Sequence, residues 1–191
     1  MKTLMLSMLA AAVLLGSGCV FMQNSYVENE EFDLALPKRV AGAKTLRMGV
    51  FRNLSGSDRR FLIRCGAGQV VPLEYQRWRL SPELLLQRCV YGAFDIAPDN
   101  DDARPRLNAV VYRFEFDERD NKACLAIDFL LPNFRNSESA IAARKQPGPL
   151  TLRVDVAVPV KDSGDLGAAR AVAMGECARL AVEKLAAEMG K

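Results

Sequence analysis

The chain has 191 residues, of which 26 are Lys or Arg and 23 Asp or Glu, for a formal charge of +3, and half of its residues are apolar. That is enough for one domain with a sizeable core, and a nearly balanced charge mixed along the chain argues against nucleic acid as a partner. Histidine is absent, which removes both the commonest general base near neutral pH and the commonest metal ligand.

At the N-terminus, Met1-Lys2-Thr3 precedes an apolar stretch from Leu4 to Leu15 broken only by Ser7, followed by Gly16-Ser17-Gly18 and Cys19. Such a stretch rises about 18 Å as a helix, short of the ~30 Å hydrocarbon core, so residues 1–18 are expected to be a signal peptide and not a permanent span. Its end resembles a bacterial lipobox, with small residues before the cysteine, although Gly16 stands where leucine is usual and Leu15 comes one place early. The resemblance implies cleavage before Cys19 and acylation there, by diacylglycerol and an amide-linked chain such as palmitate; several chains hold a protein at a membrane where one is marginal. Plain secretory cleavage is the alternative. Val20-Phe21 after the cysteine includes no aspartate. By the same resemblance this favours the outer over the inner membrane, with the domain facing the periplasm of the cell envelope.

Residues 19–44 read as a membrane tether, with a polar and acidic run from Gln23 to Glu31 and irregular chain at Pro37-Lys38-Arg39 and Ala41-Gly42-Ala43-Lys44. The domain is expected over 45–191. Leu46, Met48 and Val50 alternate with polar or small residues in a first strand; Phe61, Ile63 and Cys65 share a face of a second, Arg59 to Cys65; Val70 to Tyr75 makes a third. Ser81-Pro82-Glu83 has a cap residue, a proline at the first helical position and an acid in the first turn, predicting a helix with Leu84, Leu85, Leu86, Cys89 and Val90 buried and Gly92 at its C-cap. Phe94 and Ile96 mark a short strand. Arg106 to Phe116, with Val110, Tyr112, Phe114 and Phe116 on one face, and Lys122 to Leu130, with Ala123, Leu125, Ile127 and Phe129 on one face, are longer strands around a polar turn. Pro132 to Pro149 is loop. Leu150, Leu152, Val154, Val156 and Val158 alternate in the cleanest strand of the sequence. A final helix is capped by Asp162, with Asp165 in its first turn and Leu166, Ala169, Ala173, Cys177, Leu180 and Leu185 at helical spacing. The order predicts a single two-layer α/β (α+β type) domain, a mostly antiparallel sheet with two main helices on one face.

Apart from Cys19, the cysteines are Cys65, Cys89, Cys124 and Cys177. Four allow three pairings, and no C-x-x-C pair suggests zinc or thioredoxin-like chemistry. In an oxidising compartment one or two disulfides can form, tying helix to strand by the placement above; the other reading is four small buried hydrophobes.

The strand Leu46 to Phe51, the run Leu73-Glu74-Tyr75-Gln76-Arg77-Trp78, the Ser81–Val90 helix and the alanine-rich last helix together resemble the ABC-type transport auxiliary lipoproteins, the family of the intermembrane transport lipoprotein of the Pqi system. Members carry a tyrosine-x-x-arginine-tryptophan segment before the first helix, matched here one residue tighter by Tyr75, Arg77 and Trp78. The resemblance implies a non-catalytic accessory subunit working beside an MCE-domain protein and an ABC permease in lipid or hydrophobic-solute transport, without a cofactor. The alternative is a structural or assembly lipoprotein that binds another envelope protein without lipid transport.

The chemistry of single residues agrees with a binding role. Ser55 and Ser57 lack a histidine partner and a G-x-S-x-G elbow; Gly66-Ala67-Gly68 lacks the rest of a dinucleotide fingerprint; Asp99 to Asp102 lacks the glycine and closing glutamate of a calcium loop. Glu115 and Asp117 sit two apart on one strand with no cleft in the sequence to place them as an acid and a base. Tyr75, Arg77 and Trp78 combine aromatic area with guanidinium donors, a mixture enriched at interfaces, and are the expected partner-binding residues, with Trp78 doubling as a core anchor. Arg59-Arg60 beside Arg64 reads as a solvated charge run first and a lipid-headgroup contact second.

Overall fold

A strand that alternates apolar and polar residues has one face to hide, and here two helices hide it. The computed structural model describes residues 28–40, 45–66, 68–101, 104–132 and 149–190. The expected signal peptide, Cys19 and most of the 132–149 loop lie outside the described residues. Within them are strands β1 (Glu30–Phe32), β2 (Arg47–Asn53), β3 (Arg60–Cys65), β4 (Gln69–Trp78), β5 (Arg106–Asp117), β6 (Lys122–Leu131) and β7 (Leu150–Pro159), with helices α1 (Pro82–Ala93) and α2 (Leu166–Met189). They form a mixed α/β domain, a mostly antiparallel sheet with both helices on one face, as the element order predicts. No helix among the described residues is long and apolar enough to cross a membrane.

The sheet order is β1-β4-β3-β5-β6-β7, with β2 also on β5. The long ladders are antiparallel: Asn108 opposite Leu130 to Asp117 opposite Lys122 joins β5 to β6, and Lys122 opposite Pro159 to Leu131 opposite Leu150 joins β6 to β7. Shorter parallel pairings place β1 on β4 and both β2 and β3 on β5. Along β5, β2 reaches Val111 and β3 takes over at Phe116, so residues 54–59 bow out of a shared lane.

The core lies between sheet and helices. Phe61 packs against Trp78 with tilted rings whose centroids are 4.2 Å apart, and Phe32, Phe114 and Phe116 close around them. Leu125, Ile127 and Phe129 of β6 meet Met174, Ala178 and Leu185 of α2 in the same core, which Leu85, Leu86 and Val90 extend from α1. Each large side chain fully buried there contributes about 1.5–3 kcal/mol. Small residues on α2 permit close approach: a methyl on Gly167 would fall within 2.6 Å of Gln76 Nε2 and collide with the Phe32 ring.

Several local expectations are corrected. The expected tether contributes to the fold from Glu30 onward: β1 extends the sheet, Leu34 is buried, Asp33 pairs with Arg88 at 3.0 Å, and Val40 N–H donates to Ala93 O. Val110 and Tyr112 do not share a face with Phe114 and Phe116. A bulge between Val111 and Arg113 shifts the phase, so Leu107, Ala109 and Val111 point to the helices before it and Phe114 and Phe116 after it. The extra residue falls where β5 passes from β2 to β3. A second bulge in β2, between Met48 and Phe51, turns Val50 outward and Phe51 inward. Gly49 makes it possible, since a Cβ there would lie 2.7 Å from Leu107 O, and Val50 N–H, displaced from the ladder, donates to Asn108 Oδ1 at 2.9 Å.

At the helix ends, Gly92 lies inside α1, whose C-cap is Phe94, and Asp165, not Asp162, caps α2 by accepting from Ala168 N–H at 2.9 Å. Leu84 and Leu166 are exposed, because the buried stripes run through Leu85, Leu86, Cys89 and Val90 on α1 and Ala171, Met174, Ala178 and Ala181 on α2. Ile96 forms an isolated bridge to Leu46 instead of a strand.

Candidate functional site

The segment Leu73–Trp78 ends a strand out of step with its neighbour. Leu62 pairs with Pro72 but Arg60 with Arg77, so two steps along β3 correspond to five along β4. The surplus chain carries Tyr75, 47% exposed, outward. The three expected partner-binding residues therefore separate. Tyr75 offers surface, Arg77 is half-buried, and Trp78 is wholly buried at 0%. Trp78 cannot serve as a surface contact: its ring lies among Phe61, Phe114 and Phe116, and its backbone N–H donates to Arg59 O at 2.6 Å.

Arg77 faces the side of the sheet away from the helices and stands opposite Arg60. With Asp58 and Arg59 these two line a cleft of about 250 Å³. The loop that delivers Asp58 to Arg60 is held from within. Asn53 Nδ2 donates to Ser57 O at 2.6 Å, Ser55 N–H donates to Asn53 Oδ1 at 3.0 Å, and the buried Ser57 hydroxyl donates to Arg60 O at 2.8 Å. The serines and asparagine of this turn thus have a structural task. Asp58 Oδ1 accepts from the backbone N–H groups of Arg60 and Arg59 and from Arg60 Nε at 3.3 Å. Those backbone donors hold its carboxyl well below the usual carboxylate range. Arg59 donates to Trp78 O at 3.0 Å and to Glu31 at 2.8 Å. Arg77 Nε is buried with no hydrogen-bond partner among the described residues.

On the same face, Arg64 grips Glu115 with two bonds, Nε–Oε1 at 2.6 Å and Nη2–Oε2 at 3.0 Å, and Arg113 Nε reaches Oε1 at 2.9 Å. Glu115 is 3% exposed. Arg64 thus leaves the run it forms with Arg59 and Arg60 in sequence. Beyond it Arg153 lies over the Tyr112 ring, 5.1 Å from its centroid.

A larger groove of about 840 Å³ runs along the outer side of α2, between Ala35-Leu36-Pro37 and Val158-Pro159. Ala169, Val172 and Gly175 are among its apolar lining, and Lys161, Glu176 and Arg179 supply its charge. Val172 is highly exposed.

Cys65, Cys89, Cys124 and Cys177 are free thiols; Cys89, Cys124 and Cys177 are buried, as the reading of small buried hydrophobes has them, and Cys65 is partly so. Burial pushes the thiols of Cys89 and Cys177 up to about 12, and Cys177 Sγ donates to Ala123 O at 3.3 Å. Cys124, one residue along β6 from Ala123, faces the other side of the sheet. No group of three metal-ligating side chains occurs among the described residues.

These features belong to a two-layer domain whose fold recurs among solved structures. An uncharacterized protein matches with 14% identity and a TM-score of 0.62, covering 85% of this chain and 99% of that one. Protein XCC0632 from Xanthomonas campestris, of the DUF330 family model, matches with 16% identity and a TM-score of 0.57, covering 82% and 92%. At such identities the likeness is one of fold alone. No family model matches the chain, and neither does any curated protein.

The cleft is only partly legible in the sequence. Arg59 and Arg60 read there as solvated charge first and a lipid-headgroup contact second, and nothing in one strand tells that Arg77 of the next will stand opposite.

Proposed function

We propose that this chain is a non-catalytic accessory lipoprotein of the cell envelope, anchored at Cys19 and facing the periplasm, that serves an ABC/MCE-type lipid or hydrophobic-solute transporter. The observation that carries the reading is the apolar groove along α2, of a size suited to a small hydrophobic ligand and lined without a catalytic constellation. Docking to the transporter subunits falls to the β4 surplus, where Tyr75 is exposed and Arg77 borders it. Loops and irregular strand ends held by a rigid sheet are common recognition sites.

The test is purification of the tagged chain from its native membranes. An MCE-domain protein and an ABC permease should accompany it, and Tyr75→Ala should release them at unchanged melting temperature. Partners from an envelope assembly machine in their place would favour the structural or assembly role. For the anchor, Cys19→Ala should leave the membrane fraction and lose its acyl mass; retention in that fraction with the mass unchanged would remove the lipoprotein part of the reading.

A further inference from the structure

We propose that the cleft of Asp58, Arg59, Arg60 and Arg77 binds a phosphate group, as a lipid headgroup or as the free ion. Three arginines line a cleft of about 250 Å³, a space suited to one small anion and not to a folded surface. Their donors are unequally committed. Arg59 is engaged by Trp78 O and Glu31, and Arg60 touches Asp58 through Nε at 3.3 Å. Arg77 has a buried Nε–H with no acceptor among the described residues.

A buried donor without an acceptor costs free energy that an incoming oxygen anion recovers. Guanidinium forks match the tetrahedral oxygens of phosphate better than ammonium groups do. The one acid in the cleft offsets only part of this charge: Asp58 Oδ1 accepts from the backbone N–H groups of Arg59 and Arg60 and from Arg60 Nε, and three arginines stand against it. It orients the loop while the arginine side chains remain at the cleft. The register supplies the geometry, since Arg60 and Arg77 are direct partners across β3 and β4, and like charges placed so destabilise a sheet unless something bridges them. The assignment does not depend on a transporter: a phosphate-binding cleft needs no partner protein, and Tyr75, the docking residue proposed above, is not part of its lining.

The experiment is calorimetric titration of the detergent-solubilised full chain with inorganic phosphate and with dihexanoyl phosphatidic acid. At least one of the two should bind saturably at a single site, and Arg77→Ala or Arg60→Ala should weaken that binding about tenfold or more. Arg153→Ala, the same charge removed elsewhere on that face, should leave it within about threefold. Arg77→Gln serves if the alanine variant melts early. Phosphatidic acid bound well above inorganic phosphate assigns the headgroup, and inorganic phosphate bound as well or better assigns the free ion. No saturable binding of either, or equal weakening by Arg153→Ala, overturns the proposal.

Discussion

Two arginine clusters stand on the same face of the sheet, and they differ in what closes them. Arg64 and Arg113 converge on Glu115, a carboxylate almost out of solvent whose two oxygens accept three guanidinium bonds. Arg60 and Arg77 converge on a cleft whose one acid, Asp58, is already engaged by the backbone. Charge counting along the chain does not distinguish them, since Arg59, Arg60 and Arg64 lie within six residues. What distinguishes them is the side chain each reaches on the neighbouring strand. β3 carries Arg64 toward β5 and Glu115, and Arg60 toward β4 and another arginine. A closed network stabilises one conformation and leaves little for a ligand, whereas an open one keeps donors in reserve.

The contrast is sharpest between neighbours on one strand. Trp78 and Arg77 point to opposite faces of β4, and their truncation should separate stability from binding. Trp78→Ala empties the middle of the Phe32, Phe61, Phe114 and Phe116 nest and should cost about 3–5 kcal/mol in urea unfolding. Arg77→Ala removes a buried donor without an acceptor and one of two facing like charges, so it should lower stability by no more than about 0.5 kcal/mol. A large loss for Arg77→Ala would mean that the open cluster is structural after all.

The closed cluster should give the next largest effect. Glu115→Ala leaves two guanidinium groups facing each other without their shared acceptor. The arginine side chains keep about a third of their surface in water, so the cost falls below that of a sealed ion pair, about 2–3 kcal/mol by the same unfolding measurement. Glu115→Ala indistinguishable from the parent would reduce the network to an exposed ion pair and dissolve the comparison.

How far these features can be read from the chain follows from how local they are. β7 alternates strictly, and its more buried face is the one the pattern predicts; β6 buries its predicted face too, although Cys124 and Ala126 on its other side are also buried. β5 is apolar at both parities between Leu107 and Phe116, so the pattern cannot locate a bulge, and the expected face is wrong for Val110 and Tyr112. β1 has three residues, two of them glutamate, and its one apolar side chain is Phe32, which leaves no periodicity to find. At the start of α1 the Ser81-Pro82-Glu83 signal needs no tertiary information and places the helix start correctly, although the Ser81 hydroxyl donates to Glu83 and caps no backbone N–H. The cleft is the opposite case. Arg77 stands out beside Tyr75 and Trp78, but its partners come from a loop and a strand whose register skips on one side, and only the fold brings them together.

A smaller effect is expected at the β2 bulge. Asn108→Ala removes the acceptor of the Val50 N–H, at about 1 kcal/mol, and hydrogen exchange at Val50 should quicken. An unchanged rate would show that Asn108 does not hold the β2 bulge.

The smallest effect, and the one that tests the open cluster most finely, concerns Asp58. Its folded carboxyl is held below the usual range by the backbone N–H groups of Arg60 and Arg59, so it contributes stability that is complete above the unfolded value of about 4 and is lost as pH falls toward the folded one. The side chain is mostly exposed, so solvent screens the contribution and it should be slight. Asp58→Asn keeps an oxygen that can accept the same two backbone bonds, which preserves the turn, but removes the negative charge from the cleft. Unfolding followed from pH 6 down should therefore show a shallower decline for the variant below about pH 4. At neutral pH, phosphate affinity should rise by about two- to fivefold, because one repulsive charge has left the site while three arginines remain. Affinity that falls instead would mean that the carboxylate is needed to aim Arg60, and that the open cluster is organised by its acid much as the closed one is by Glu115.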